Sequence, residues 1–134
     1  MKQLNTIRKQ SIIRNLKFNY DKLNDLLYVY KRDSNVYSNV MIGDFHLEFN
    51  KNSDLVGVEI LNASNILKEY NISKKILENI DEVSLKAISK NNSLLIFLTI
   101  HSMNQEKSAA ITMNNLEPPI MKAIASAWLS HNQS

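Results

Sequence analysis

Apolar and polar residues alternate along much of the first half of the chain. Leu16, Phe18 and Tyr20 are separated by polar residues, and residues 26–30 are rich in aromatic and β-branched side chains. Side chains two positions apart share a face of a strand, so this spacing is typical of strands with one buried face. The turn formers at 21–25 join these two segments into a predicted β-hairpin. Three further strands are predicted at residues 36–42, 45–49 and 55–61.

The period then changes to that of a helix. Apolar residues recur at three- and four-residue spacing, which gives an amphipathic helix its buried stripe: Ala63, Ile66, Leu67 and Tyr70. Asn62 or Ser64 is the expected N-cap, since short polar side chains accept the free amides of a first helical turn. Ser73 is expected to begin a second short helix by the same logic.

Alternation returns in the second half of the chain. Strands are predicted at residues 83–87, 94–100 and 109–113, with a polar turn at 91–93. Two prolines follow, at positions where they suit the first turn of a final helix over residues 120–130. The only tryptophan, Trp128, lies in that predicted helix.

The order of elements predicts an α+β protein with two antiparallel β-meanders, each followed by helices. Residues 4–13 are also predicted to be helical, like residues 73–80 before the second meander, which suggests an internal duplication. No Gly-, Ser- or Pro-rich linker separates the halves. We therefore expect one compact domain over 1–134, with 1–71 and 72–134 as its sub-units.

Composition narrows the classes of protein. The 134 residues include no cysteine, which excludes a disulfide framework and a thiol nucleophile. The longest apolar run, residues 94–100, is too short to cross a bilayer, and no secretory signal is visible, so a cytoplasmic protein is expected. With two glycines against 18 asparagines, no glycine-rich phosphate loop can be written.

Positive charge is concentrated near the start of the chain. The net charge is +3, yet residues 1–32 hold eight basic and two acidic residues. Such a segment favours contact with phosphate, anionic lipid or an acidic protein, although a solvated polar face is the commoner outcome. The candidate contact residues are Arg8, Lys9, Arg14, Lys17, Lys31 and Arg32.

Candidate chemistry is sparse. The three histidines lack the spacing of metal ligands, so no metal and no cofactor is predicted. Asp21, Asp25 and Glu59 are a candidate carboxylate cluster, with the alternative that they bond turn amides and cross-strand partners. Most aromatic residues alternate like a core face, and Tyr28 and Tyr30 are the best candidates for an exposed stacking surface.

Three segments carry a resemblance to a known family. They are YDKLNDLLYVY at 20–30, GDFHLEFN at 43–50 and LVGVEILNAS at 55–64. Together they resemble the domain of unknown function 2283 family over residues 20–64. The turn at 50–54 lacks the usual glycine, and Asn62 stands where Asp is common. The resemblance implies a β-meander-plus-helix fold, makes Asp21, Asp25 and Glu59 recurrent features, and implies no established activity.

We therefore predict a small non-enzymatic interaction protein. It is expected to be a homodimer whose basic segment or exposed sheet edge contacts a small protein partner, in the manner of an antitoxin in a two-protein module. Nucleic-acid binding through Arg8, Lys9 and Arg14 is the alternative, and an enzyme acting through the three carboxylates comes third. Removal of residues 1–15 is expected to leave the fold intact but to abolish capture of the partner.

Overall fold

The computed structural model describes residues 7–117, which form nine strands, two short α-helices and one 3-10 turn. The strands are β1 (Ile7–Lys9), β2 (Lys17–Asp21), β3 (Leu26–Tyr30), β4 (Ser38–Ile42), β5 (Phe45–Phe49), β6 (Leu55–Leu61), β7 (Ile80–Lys90), β8 (Ser93–Ser102) and β9 (Gln105–Met113). The helices are α1 (Ala63–Leu67), continued by the 3-10 turn Lys68–Tyr70, and α2 (Lys74–Leu77). The protein is thus a β-rich α+β fold. The predicted helix over 120–130 lies outside the described residues.

Five strands of the first half form one antiparallel sheet in the order β2-β3-β6-β5-β4. The predicted strands are confirmed, but the simple meander is wrong, because β6 lies between β3 and β5. Apart from Gly57, the described side chains of β6 are mostly apolar and buried, as suits a central strand with a partner on both sides. Phe18 is 37% exposed despite its core-like spacing, because β2 lies at the edge of the sheet.

The second sheet has the order β1-β7-β8-β9. Its long strands β7, β8 and β9 form the predicted meander. The helix predicted over 4–13 is wrong for residues 7–9, which pair with Lys90, Ser89 and Ile88 of β7. Residues 10–16 continue along β7 through backbone hydrogen bonds to Ala87, Leu85 and Val83. The edge of β7 therefore decides the conformation of this segment, which the parallel with residues 73–80 predicted to be helical.

This pairing argues against the expectation that removal of residues 1–15 leaves the fold intact. Gln10 is 6% exposed, and the backbone amides of Gln10 and Ile13 donate to β7, so residues 7–13 are part of the folded body. The internal duplication is not confirmed, since the two sheets differ in strand number and order. In addition, β1 comes from the predicted first sub-unit but belongs to the sheet of the second.

One hydrophobic core contains the inner faces of both sheets and the apolar faces of α1 and α2. Its fully buried side chains include Leu27, Leu47 and Ile60 from the first sheet and Leu98 from the second.

Ser73 caps α2 as predicted, by accepting a hydrogen bond from the Ile76 amide at 3.3 Å. Within residues 7–117, the helices are too short to cross a membrane.

Candidate functional site

Three of the six predicted basic contact residues meet in one cleft. Lys9, Arg14 and Lys31 line an open cavity of about 440 Å³. One wall is the N-terminal segment of residues 9–14, and the other includes Asp54 from the turn between β5 and β6. All three cations are exposed, and within the described part of the chain none of them forms an ion pair. We call this cavity the basic cleft.

Gln10 fixes the wall of the basic cleft that the N-terminal segment supplies. Its side-chain amide donates to the Leu55 carbonyl at 3.0 Å, and its side-chain oxygen accepts from the Leu55 amide at 2.6 Å. Gln10 thus joins the two sheets, since its backbone amide donates to the carbonyl of Ala87 on β7. On the opposite wall, the Lys31 amide donates to the Val56 carbonyl at 2.7 Å and so holds Lys31 beside β6.

Arg8 has a different role from the one predicted. Its guanidinium pairs with Asp54 at 2.9 Å and also donates to the carbonyls of Ser53 and Asn52. Because these groups belong to the turn between β5 and β6, Arg8 links that turn to β1. Its charge is largely engaged within the molecule, and Arg8 does not line the basic cleft.

The remaining two predicted basic residues lie elsewhere. Lys17 is on β2, where it lines a separate depression together with Asp81 and Glu82. Arg32 is exposed in the turn after β3 and does not line the basic cleft. Within the described residues 7–32, the predicted basic contact residues are therefore divided among several places, and only the basic cleft gathers three of them.

The three predicted carboxylates serve different partners. Asp21 accepts from the backbone amides of Leu23 and Asn24 and from the Asn24 side chain, which stabilises the hairpin turn. These hydrogen bonds, first among them the one from the Asn24 side chain, lower the pKa of Asp21. No hydrogen bond within residues 7–117 joins Asp21, Asp25 and Glu59 to one another.

Asp25 connects the hairpin turn to the start of α1. Its carboxylate accepts from the Tyr20 hydroxyl at 2.5 Å, the Ser64 hydroxyl at 2.7 Å and the Ser64 amide at 3.0 Å. Its carbonyl accepts from the Ala63 amide at 2.9 Å. Asn62 occupies the predicted N-cap position, but its side chain makes no capping hydrogen bond. The cap comes instead from Asp25, which lies far away in sequence.

Burial and hydrogen bonding act in opposite directions on this network. Burial tends to raise the pKa of Asp25, but hydrogen bonds from Tyr20 and Ser64 outweigh it and lower the pKa below its ordinary value of 3.8. Burial, followed by the hydrogen bond to Asp25, raises the pKa of Tyr20. Asp25 is therefore a charged acceptor that holds two elements together.

Glu59 lies on the face of the five-stranded sheet that points away from the core. Directly opposed residues of antiparallel strands share a face, so the register places two rows of side chains there. The first row is Tyr28, Glu59 and His46, and the second is Tyr30, Gly57 and Glu48. We call this surface, formed by these six residues, the outer face.

Hydrogen bonding and stacking order the outer face. The Tyr28 hydroxyl donates to Glu48 at 2.7 Å, and the rings of Tyr28 and Tyr30 stack with centroids 4.7 Å apart. A Cβ at Gly57 would collide with the Glu48 carboxylate, so glycine is what allows Glu48 to lie over the central strand. Burial, followed by the hydrogen bond to Glu48, raises the pKa of Tyr28.

The sequence singled out Tyr28 and Tyr30 as candidates for an aromatic surface off the core, and the structure places both on the outer face. The sequence did not predict that Glu48 and His46 share this face with the two tyrosines. The alternation of Phe45, Leu47 and Phe49 does put His46 and Glu48 opposite the core. Their neighbours depend on the strand order, however, which alternation does not specify.

Comparisons with known proteins find relatives of this chain. A family model described as "Protein of unknown function (DUF2283)" matches residues 17–64, the stretch from β2 to the start of α1. Among relatives, an uncharacterised protein of Methanocaldococcus jannaschii is 37% identical over 86 residues, which are 63% of this chain and 70% of that protein.

A second relative extends over more of the chain. It is a protein of Methanosarcina mazei named "Putative hypoxanthine phosphoribosyltransferase", 25% identical over 119 residues, or 85% of this chain and 93% of that protein. No solved structure matches the chain. The family match and the Methanocaldococcus relative together show that the chain belongs to DUF2283, a family of proteins of unknown function.

Proposed function

We propose that this chain is a non-enzymatic binding protein that holds an acidic segment of a partner protein in the basic cleft. The observation that carries the proposal is that Lys9, Arg14 and Lys31 line one cavity and form no ion pair within residues 7–117. Exposed like charges in one cleft repel one another, and an anionic ligand relieves that repulsion. Carboxylates of a partner supply the matching charge.

The size of the charged area favours an acidic peptide over a nucleic acid. Proteins that bind duplex DNA tightly contact roughly six to ten phosphates. The basic cleft offers three cations, Arg8 is paired with Asp54, and Lys17 lies beside Asp81 and Glu82. A short acidic segment fits this limited area, whereas a continuous phosphate backbone extends beyond its three cations.

The partner is proposed to be a small protein, as in a two-protein module. This rests on the charge of the basic cleft and on analogy with antitoxins. The homodimer predicted from the sequence is proposed as well, and sedimentation equilibrium gives its mass directly.

The name of the Methanosarcina relative suggests an enzyme that acts on phosphorylated compounds, but we do not extend that activity to this chain. With only two glycines in the sequence, the chain has no glycine-rich loop to hold a phosphate. The basic cleft itself can be tested with a small phosphate compound in the same experiment as the peptide.

The experiment measures the fluorescence anisotropy of a labelled hepta-glutamate peptide titrated with the whole protein. We expect saturable binding that the double substitution Arg14→Glu and Lys31→Glu weakens by about tenfold or more, because it reverses two of the three charges. The matched control is Lys68→Glu with Lys75→Glu, which makes the same charge change at exposed positions away from the basic cleft. Binding by this control should stay within about twofold of wild type.

Three results would contradict the proposal. The first is equal weakening by both double substitutions, which indicates general attraction by net charge. The second is tighter binding of single-stranded DNA than of the peptide, with affinity falling steeply between about 50 and about 200 mM salt. The third is competition by pyrophosphate at lower concentration than the peptide, which makes the basic cleft a small-phosphate site.

A further inference from the structure

We propose that the outer face is a second binding surface, separate from the basic cleft, and that it takes an arginine side chain of a partner peptide. The guanidinium would lie against the stacked rings of Tyr28 and Tyr30 and pair with the carboxylates of Glu48 and Glu59. This proposal does not depend on the function proposed for the basic cleft, because the two surfaces use different residues and opposite charge.

The first observation is the aromatic pair. Tyr28 and Tyr30 are half-buried, and their rings stack at an angle of 19° between planes. Both residues lie on β3, and the hydrogen bond from the Tyr28 hydroxyl to Glu48 fixes the ring of Tyr28, on which Tyr30 stacks. Rigid aromatic faces attract planar cations, and arginine stacks on tyrosine more readily than lysine does.

The second observation is uncompensated negative charge beside the rings. Within residues 7–117, neither Glu48 nor Glu59 forms an ion pair with a lysine or an arginine. The nearest basic group to Glu59 is His46, at 4.0 Å, which is charged only when protonated. Lys17 lies opposite Tyr30 on β2, on the far side of the aromatic pair from β5 and β6. The negative charge of these two carboxylates is therefore not neutralised by a lysine or an arginine of residues 7–117.

The third observation is the geometry of the two rows. Glu59 is directly opposite Tyr28, while Glu48 is separated from Tyr30 by Gly57, which carries no side chain. A carboxylate and an aromatic ring are thus neighbours on a half-buried surface, where a charge-assisted hydrogen bond is stronger than in open solvent. A guanidinium can use both groups at once, because its donors lie in the plane of the group and its faces stay free for stacking.

The chemistry of the occupant follows from these features. A hydrophobic partner would leave Glu48 and Glu59 without solvent or counter-charge, which is costly. A lysine supplies the charge but not the planar face. An arginine in a flexible peptide satisfies both the rings and the carboxylates.

The test compares two labelled pentapeptides, in which two arginines or two lysines alternate with glycine, by fluorescence anisotropy with the whole protein. We expect the arginine peptide to bind more tightly. We also expect Glu59→Gln and Tyr30→Leu each to weaken its binding by about fivefold or more, since each removes one part of the paired recognition. Tyr30→Phe keeps the ring and should bind like wild type.

Controls separate this surface from simple charge attraction. Glu106→Gln removes an exposed carboxylate of β9, where Glu106 contacts His101, and should leave binding unchanged. The Arg14→Glu and Lys31→Glu protein should also bind the arginine peptide normally, whatever its effect on the glutamate peptide. Thermal unfolding followed by circular dichroism checks that each variant is folded. If Tyr30→Leu does not fold, the binding of the arginine peptide by Glu59→Gln tests the proposal.

Equal binding of the arginine and lysine peptides would overturn the proposal. So would equal weakening by Glu106→Gln and Glu59→Gln, or the absence of saturable binding to the wild-type protein.

Discussion

Asparagine and aspartate do in this chain what glycine does in many others. Ten non-glycine residues of the described part have a positive φ, and eight of them are Asn or Asp. These side chains are short and bond to nearby backbone, so they tolerate the left-handed region better than other residues do. The abundance of asparagine, which composition alone presents as a bias, therefore has a structural use in the turns.

Asp25 combines such a turn conformation with a network, and its substitution by asparagine gives the first residue-scale prediction. Asp25 has φ of 51° and accepts hydrogen bonds from Tyr20 and Ser64. Asp25→Asn keeps the turn preference but removes the charge and turns one acceptor into a donor, which faces the donating backbone amide of Ser64 and one hydroxyl. We expect a loss of about 1–3 kcal/mol in the free energy of unfolding, measured by urea denaturation at neutral pH.

The same substitution should change how stability depends on pH. The pKa of Asp25 is lower in the folded protein than its ordinary value of 3.8, so its ionised form stabilises the fold. That contribution is complete above pH 3.8 and is lost as the pH falls through the lower, folded-state pKa. The difference between wild type and Asp25→Asn should therefore shrink in acid. Asp33→Asn, at an exposed turn residue with φ of 60°, is the matched control; a similar loss there would refute the role of the network.

Residue types alone predicted part of the candidate site. Lys9, Arg14 and Lys31 were selected for their charge, and the structure brings them together. Arg8 was selected for the same reason but is occupied by Asp54 and two carbonyls, because the turn between β5 and β6 folds back beside β1. The charge of a side chain follows from the sequence, whereas the group with which that side chain pairs depends on contacts between residues far apart in the sequence.

At the scale of elements, the N-terminal segment joins the two sheets, and Gln10 is its key contact. We expect Gln10→Ala to lower the free energy of unfolding by about 1–3 kcal/mol, because it leaves the buried amide and carbonyl of Leu55 without their partner. Thermal unfolding followed by circular dichroism measures the loss. Gln105→Ala, at the exposed start of β9, should have little effect. Equal losses for the two variants would show that the hydrogen bonds of the Gln10 side chain to Leu55 add little to the stability of the fold.

The strands themselves were largely predictable and their arrangement was not. Residues 26–30, 45–49 and 55–61 were predicted with the bounds that β3, β5 and β6 have, since alternation and strand-forming side chains agree there. The same pattern does not specify which strands pair with each other, so the place of β6 between β3 and β5 could not be derived. The helix over residues 4–13 is predicted from the parallel with residues 73–80 before the second meander, and the pairing of residues 7–9 with β7 shows that this parallel does not hold.

The whole molecule depends on contacts between its predicted sub-units. A fragment of residues 1–71 retains every residue that lines the basic cleft but lacks β7, which holds the wall of residues 9–14. It also exposes core side chains such as Leu27 and Leu47, each worth about 1.5–3 kcal/mol when buried, against a total stability of about 5–15 kcal/mol. We therefore expect neither 1–71 nor 72–134 to unfold cooperatively alone.

Mixing the two fragments tests whether that dependence is mutual. If both halves are needed to complete one core, an equimolar mixture should recover a cooperative thermal transition by circular dichroism and the binding of the hepta-glutamate peptide, while 1–71 alone should show neither. A fragment 1–71 that melts cooperatively near the temperature of the whole chain would mean that the first sheet is stable without the second. Peptide binding by that fragment would further mean that β7 is not needed to shape the basic cleft, since each of its lining residues would then be placed by the first half of the chain alone.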